Sequence, residues 1–283
     1  MFIRSRLALI IVAAFCAPAL GEDKYTFHES LKPGQKISID FSYQDHEKTT
    51  TTPRGKPAED SDVQTRRSYK VTMTVLDTMD GSATKDRVEV EPGSVDATKT
   101  AGGDETVTPS SFIGKKIILT RKADGTATND FKEQADPGAL DMLNTLLTPD
   151  QDFYPDHPVA VGESWDTSDQ MKKHAGLGKE DKLQCVCRLD WVKTIDQKQM
   201  AQMTYSLATV RHDEDHVESD CEESGTLTID VAAGQIVKTE TASKTKYSTP
   251  ADEPTQVTGT AEDSSHGSAV NEKTDGADPE AKP

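Results

Sequence analysis

Side chains that alternate apolar and polar with a period of two recur along this chain, and that period fits extended strands with one covered face. In "LQCVCRLDW" the residues Leu183, Cys185, Cys187, Leu189 and Trp191 share a face. "ISIDFSY" does the same with Ile37, Ile39, Phe41 and Tyr43, and "SYKVTMTV" with Tyr69, Val71, Met73 and Val75. "MTYSL" lines up Met203, Tyr205 and Leu207. Threonine and lysine fill the opposite faces, which suits antiparallel strands with one wet surface. The expected fold is therefore mainly β, an antiparallel sandwich or half-open barrel of about ten strands.

The strand signals come twice in one order. Gly34 in "LKPGQKI", the turn in "LDTMDGSA" and the turn in "KADGTA" are matched by Gly162 in "VAVGESW", the turn in "TIDQKQMA" and the turn in "VAAGQI". This order predicts two related halves, residues 22–135 and 161–248, with longer loops at 47–64 and 91–111 in the first. Between them, over 136–160, "DPGALDMLNTLL" predicts a short helix: Asp136 caps it, Pro137 opens it, and Leu140, Leu143, Leu146 and Leu147 recur at helical spacing. From 249 to 283 the chain is rich in Pro, Asp, Glu, Ser and Gly, which predicts a disordered acidic tail.

Residues 1–21 read as a leader. Arg4 and Arg6 precede the apolar run "LALIIVAAF", with Ala19 and Gly21 placed for cleavage after Gly21; cleavage after Ala19 is the second choice. The run is too short for a permanent membrane helix, so no transmembrane span is expected. Lipidation at Cys16 is a lesser alternative, because the bulky Phe15 precedes it. These features predict a secreted or periplasmic protein. Its net charge of −17 disfavours nucleic acid and anionic membrane surfaces as partners. Leu, Ile, Val and Phe make up only about 18% of the chain, a level at which disorder competes with folding. The strict alternation decides for a fold.

Few residues carry a chemical signature. After the leader, three cysteines remain, and an oxidising compartment favours a disulfide from Cys221 to Cys185 or Cys187. In "RHDEDHVESDCEE", His212, Asp213, Asp215 and His216 offer metal-competent atoms. No Glu directly follows the first His, and no second ligand set has zinc-type spacing, so a solvated hairpin end is the simpler reading. The Asp-Gly pairs in "DTMDG" and "KADGTATND" are ordinary turn chemistry. "GESWD" lacks the closing glycine of a nucleophile elbow. No cofactor motif and no catalytic set is present in the sequence, so no enzymatic activity is expected.

The order of "LKPGQKI", "MDGSA", "YPDHPVAVGESW" and "GTLTIDVAAGQIVKTE" resembles an uncharacterised family of exported bacterial β-rich proteins, over roughly residues 30 to 247. The resemblance implies a compartment and a β fold, and carries over no functional residue. Three functions remain as expectations. The first is a non-enzymatic exported protein with a binding or scaffolding role at the cell envelope, an envelope protein being one candidate partner. The second is a carrier of an apolar small molecule such as lipid, held between a curved sheet and the leucine helix. Its expected lining is Tyr69, Val71, Met73, Leu140, Leu143, Leu189 and Trp191. The third is a metal-dependent hydrolase built on residues 212–223.

Overall fold

The computed structural model describes residues 23–121, 127–132, 150–174, 177, 181–212, 217–250, 253 and 255–271. The first half of the chain supplies β1 (Lys24–Tyr25), β2 (Lys36–Pro53), β3 (Glu59–Met79), β4 (Ser82–Val90), β5 (Val95–Thr100), β6 (Thr106–Pro109), β7 (Lys116–Arg121) and β8 (Ala127–Asn129). After a single 3-10 turn (Asp150–Phe153) come β9 (Val159–Ala160), β10 (Ser164–Asp166), helix α1 (Ser168–His174), β11 (Lys182–Ile195), β12 (Lys198–His212), β13 (Glu218–Asp230), β14 (Gln235–Ser248) and β15 (Thr255–Asn271). Among the described residues no helix is long and apolar enough to cross a membrane.

Thirteen strands form one sheet in the order β10-β11-β12-β13-β14-β15-β2-β3-β4-β7-β8, with β5 and β6 branching from β3. Neighbouring strands along this path pair antiparallel. The sheet is not closed into a barrel, as the half-open architecture requires.

The two halves open alike. The Gly34 N–H donates to the Val75 carbonyl at 2.8 Å, and the Val75 N–H returns to Gln35 at 2.9 Å. In the second half Gly162 donates to Leu189 at 2.7 Å, and Leu189 returns to Glu163 at 3.1 Å. Both glycines lie at positive φ, 86° and 90°, which an L side chain adopts only with strain. The register then runs in step. Ile37 pairs Met73 as Trp165 pairs Cys187, and the ladders are irregular at Val75/Asp77 and at Leu189/Trp191. Each extra residue sharpens the local twist and bends its strand inward.

Three expectations are corrected. Residues 255–271 are not tail but β15, a strand of seventeen residues paired on both sides, to β14 and to β2. Its inward positions are small, among them Ala261, Ser265, Gly267 and Ala269, so it fills a crowded sheet centre without the large apolar residues that betray a strand. The stretch 47–64 is mostly ladder rather than loop: β2 and β3 continue to Pro53 and from Glu59, and only the turn between them is unpaired. Likewise 91–111 holds β5 and β6. The expected helix at 137–147 lies outside the described residues; α1 follows β10 instead, and its Ser168 Oγ accepts the Cys185 N–H at 2.8 Å.

Apolar side chains gather into two clusters, one per half. Ile37, Tyr69, Val71, Phe112 and Ile117 centre the first; Trp165, Cys185, Leu189, Met203 and Ile229 centre the second. A strap from the N-terminal segment joins them. β1 pairs β9, and Phe27 packs on Tyr154 in the second cluster, with ring centroids 5.9 Å apart. Ser30 then donates to the Ala233 carbonyl at 3.0 Å and Leu31 to the Gly81 carbonyl at 2.8 Å. Leu31 is already in the first cluster. The strap thus crosses the end of the sheet where the β3–β4 and β13–β14 turns lie.

Candidate functional site

Between the two clusters lies a cavity of about 810 Å³. Ile39 and Phe41 of β2 and Met73 of β3 line it, and so do Leu183 of β11 and Tyr205 of β12. β2 and β11 are five positions apart in the sheet order, roughly 24 Å in a flat sheet at about 4.8 Å per strand. The sheet curls to bring both onto one space. Residues of both apolar clusters line it, Leu31, Ile37, Met73 and Ala83 from the first and Leu183, Tyr205, Leu227 and Ile236 from the second.

Along the strands the wall changes character. In its middle Ile37, Ile39 and Phe41 on one side and Leu227 on the other are apolar, and Gly267 and Thr239 stand on the strands between them. Towards the β2–β3 hairpin it becomes polar. Here Asp45 of β2 stands directly across from Asp263 of β15. Tyr43 donates its hydroxyl to Asp263 Oδ1 at 2.8 Å and Ser243 donates to Oδ2 at 2.7 Å. Burial pushes the Asp45 carboxyl up to about 7, and its hydrogen bond to Asp263 and the Asp263 charge push the same way. Burial also raises Glu223, whose carboxylate accepts the Tyr205 hydroxyl. Both phenols are raised too, chiefly by burial, so they remain neutral donors. Arg67 faces the same space, with its Nε 3.4 Å from Asp96. A second, polar hollow of about 970 Å³ continues from this end, sharing Leu207, Glu223, Ser243, Asp263 and Ser264 with the first.

The opposite end is covered by the strap. Glu29 and Leu31 of the strap, Asp86 of β4, Arg121 of β7 and Gln235 of β14 all line the cavity. Asp86 is 2% exposed. Burial drives its carboxyl up to about 7; Arg121 opposes the rise and Glu29 adds to it. Gln235 is 5% exposed.

Of the expected lining residues, Met73 sits on the cavity wall. Tyr69, Val71 and Leu189 pack inside the two clusters and do not reach the cavity surface. Trp191 lies beyond the irregular pairing at Leu189, where its indole donates to Gln202 and Lys193 Nζ stands 4.8 Å from its ring centre. Leu140 and Leu143 are outside the described residues. The disulfide is corrected: Cys185, Cys187 and Cys221 are free thiols. β12 stands between β11 and β13, and Cys221 is offset along the strands from the positions across from Cys185 and Cys187, so it lies more than two strand spacings, over roughly 10 Å, from either and beyond the reach of a disulfide. His212 sits between Asp181 (Nδ1–Oδ1 3.5 Å) and Glu218 (Nε2–Oε2 3.3 Å). Asp213, Asp215 and His216 are outside the described residues. Among the described residues no group of three or more His, Cys, Asp or Glu could hold a metal ion.

The residues that sequence reasoning missed are polar. Asp86 shares parity with Val88 and Val90 in "SATKDRVEV", and Asp263 occupies an inward position of an unrecognised strand. An acid on the apolar side of an alternating run was the available signal for Asp86.

No family model matches the chain, and no curated protein matches it. Among solved structures it is similar to a lipovitellin chain from a study of lipid–protein interactions, at 9% identity and TM-score 0.45, over 86% of this chain and 25% of that one. The chain thus spans a quarter of the lipovitellin chain. It is also similar to an outer membrane channel from Pseudomonas putida F1 (9% identity, 86% and 97% covered, TM-score 0.21). A LolA superfamily protein from Nitrosomonas europaea follows (9% identity, 81% and 84% covered, TM-score 0.14). Scores this low leave the site to be argued from its own geometry.

Proposed function

We propose that this chain is an exported binding protein that carries an apolar molecule in the cavity between its two halves, without chemical turnover. The observation that supports this reading is the cavity itself. Two separate apolar clusters face each other across about 810 Å³, whereas protein interiors ordinarily close to crystal-like density. The volume falls within the range of small-molecule sites, about 300–1,000 Å³. Apolar side chains from both halves, with polar groups placed among them, are a usual composition of such a site. The wider expectation of an envelope binding or scaffolding protein narrows, in this reading, to a carrier. The leader read in residues 1–21 supports a secreted or periplasmic location.

The test uses the natively purified chain. Solvent extraction followed by mass spectrometry should recover a co-purified apolar molecule, and N-phenyl-1-naphthylamine should fluoresce on binding. Replacing Ala269 by Phe, at a cavity-lining position of β15, should weaken that binding at least tenfold. A chain that carries nothing and gives no fluorescence would sink the reading.

A further inference from the structure

The strap-covered end of the cavity holds acceptors that a hydrocarbon could not satisfy. Asp86 Oδ1 and Gln235 Oε1 are buried oxygens without a hydrogen-bond partner. Both residues line the cavity, Asp86 from the first half and Gln235 from the second. A buried acceptor left unmatched keeps its full desolvation penalty, which is why native proteins rarely leave one. Neither residue serves the fold in an evident way: each lies at a position where an apolar side chain would pack. The surrounding charge has a sign as well. Glu29 and Asp152 line the same cavity and are buried, with Arg121 as the cation beside Asp86. Another carboxylate or a phosphate entering here would meet three acids, Asp86, Glu29 and Asp152, against the Arg121 guanidinium and the amide N–H groups of Gln235.

We propose that the ligand is an amphiphile whose polar end donates hydrogen bonds, a hydroxyl or an amine, seated against Asp86 Oδ1 and Gln235 Oε1 with its chain along the apolar side chains of the two walls. This rests on the carrier reading and sharpens it to a ligand class. The molecule enters polar end first, and Ile39, Phe41 and Met73 on one wall and Leu227 on the other hold its hydrocarbon. A fatty acid of equal length would bury its tail equally well but set a carboxylate against two acceptors.

The test is competition. N-phenyl-1-naphthylamine bound to the full chain at pH 8 is displaced by 1-dodecanol, dodecylamine or dodecanoate, all twelve-carbon chains. The alcohol and the amine should compete at least tenfold better than dodecanoate. In Gln235→Leu, and in Asp86→Leu where it folds by circular dichroism, the ratio of alcohol to carboxylate affinity should fall toward one, whatever happens to the probe's own affinity. Equal competition in the wild type, preference for dodecanoate, or an unchanged ratio in Gln235→Leu overturns the proposal and leaves the carrier reading standing. Absence of any probe binding overturns both.

Discussion

The backbone carbonyl oxygen of His28 lies 1.6 Å from the point where a Cβ on Gly234 would stand. No side chain fits there, and the φ of +59° adds a second reason for glycine. Gly234→Ala should therefore push the strap off the β13–β14 turn and lower stability by about 2–4 kcal/mol, combining left-handed backbone cost with lost packing. Gly162→Ala, with φ +90° and open space around its Cβ, should cost less. Urea unfolding of both variants, with amide exchange at residues 27–31, makes the comparison. Equal costs would contradict the close approach.

Asp86 gives a pH signature of known sign. Its folded carboxyl titrates near 7 against an ordinary value of 3.8. Below about pH 4 both states hold the proton and this group exacts no penalty. As pH rises to 7 the unfolded chain releases a proton that the folded chain must retain, so stability falls across that window and levels above it. Three units correspond to something on the order of 4 kcal/mol. Asp86→Asn keeps the shape and removes the titration. Urea midpoints at pH 4.5, 6 and 7.5 should show the variant gaining on the wild type as pH rises. Parallel curves would refute the assignment.

The placement of β15 separates sharply from the disordered tail that composition predicts. Ala261 sits mid-strand, opposite Thr245 on one side and Glu47 on the other. Proline there removes a ladder hydrogen bond at the centre of the sheet and should destabilise the chain by about 2–4 kcal/mol. In a disordered tail it would be neutral. Thermal unfolding of Ala261→Pro decides between the two, and amides 255–271 of the wild type should exchange slowly.

Free thiols predict a reactivity order. Cys185 and Cys187 are fully buried, while Cys221 is partly exposed. Iodoacetamide should modify Cys221 in the native protein and reach the other two only in denaturant. A non-reducing digest should contain no peptide joining Cys221 to either. A linked peptide would show that the strand order at this edge is wrong.

Much of the scaffold was legible because period-two alternation and turn glycines act locally. "ISIDFSY" named the face of Ile39, Phe41 and Tyr43, and Gly34 and Gly162 marked equivalent strand openings. The cavity was less legible. Alternation distinguishes inside from outside, yet Val71 and Met73 share a parity while only Met73 reaches open space. That difference depends on how far the sheet curls, which no single strand encodes. β15 escaped for another reason. Its ladder is satisfied by two neighbours, so Gly267 opposite Phe41 and Ala261 opposite Glu47 suffice where an edge or surface strand would need branched residues. The disulfide failed because cysteine parity says nothing about which strand intervenes.

β15 also sets the order in which this molecule can be assembled. β2 is among the first strands made, and one whole edge of it stays unpaired until residues 255–271 have been synthesised. Pairing Ile37 with Asn271 closes a loop of more than two hundred residues, a contact of the kind that folds slowly. The two halves of the chain can each collapse early, but the seam that joins them, and with it the cavity between them, forms only once the C-terminal strand is free to dock. Under the proposed carrier function, loading a ligand belongs to the last step of folding, after β15 has docked.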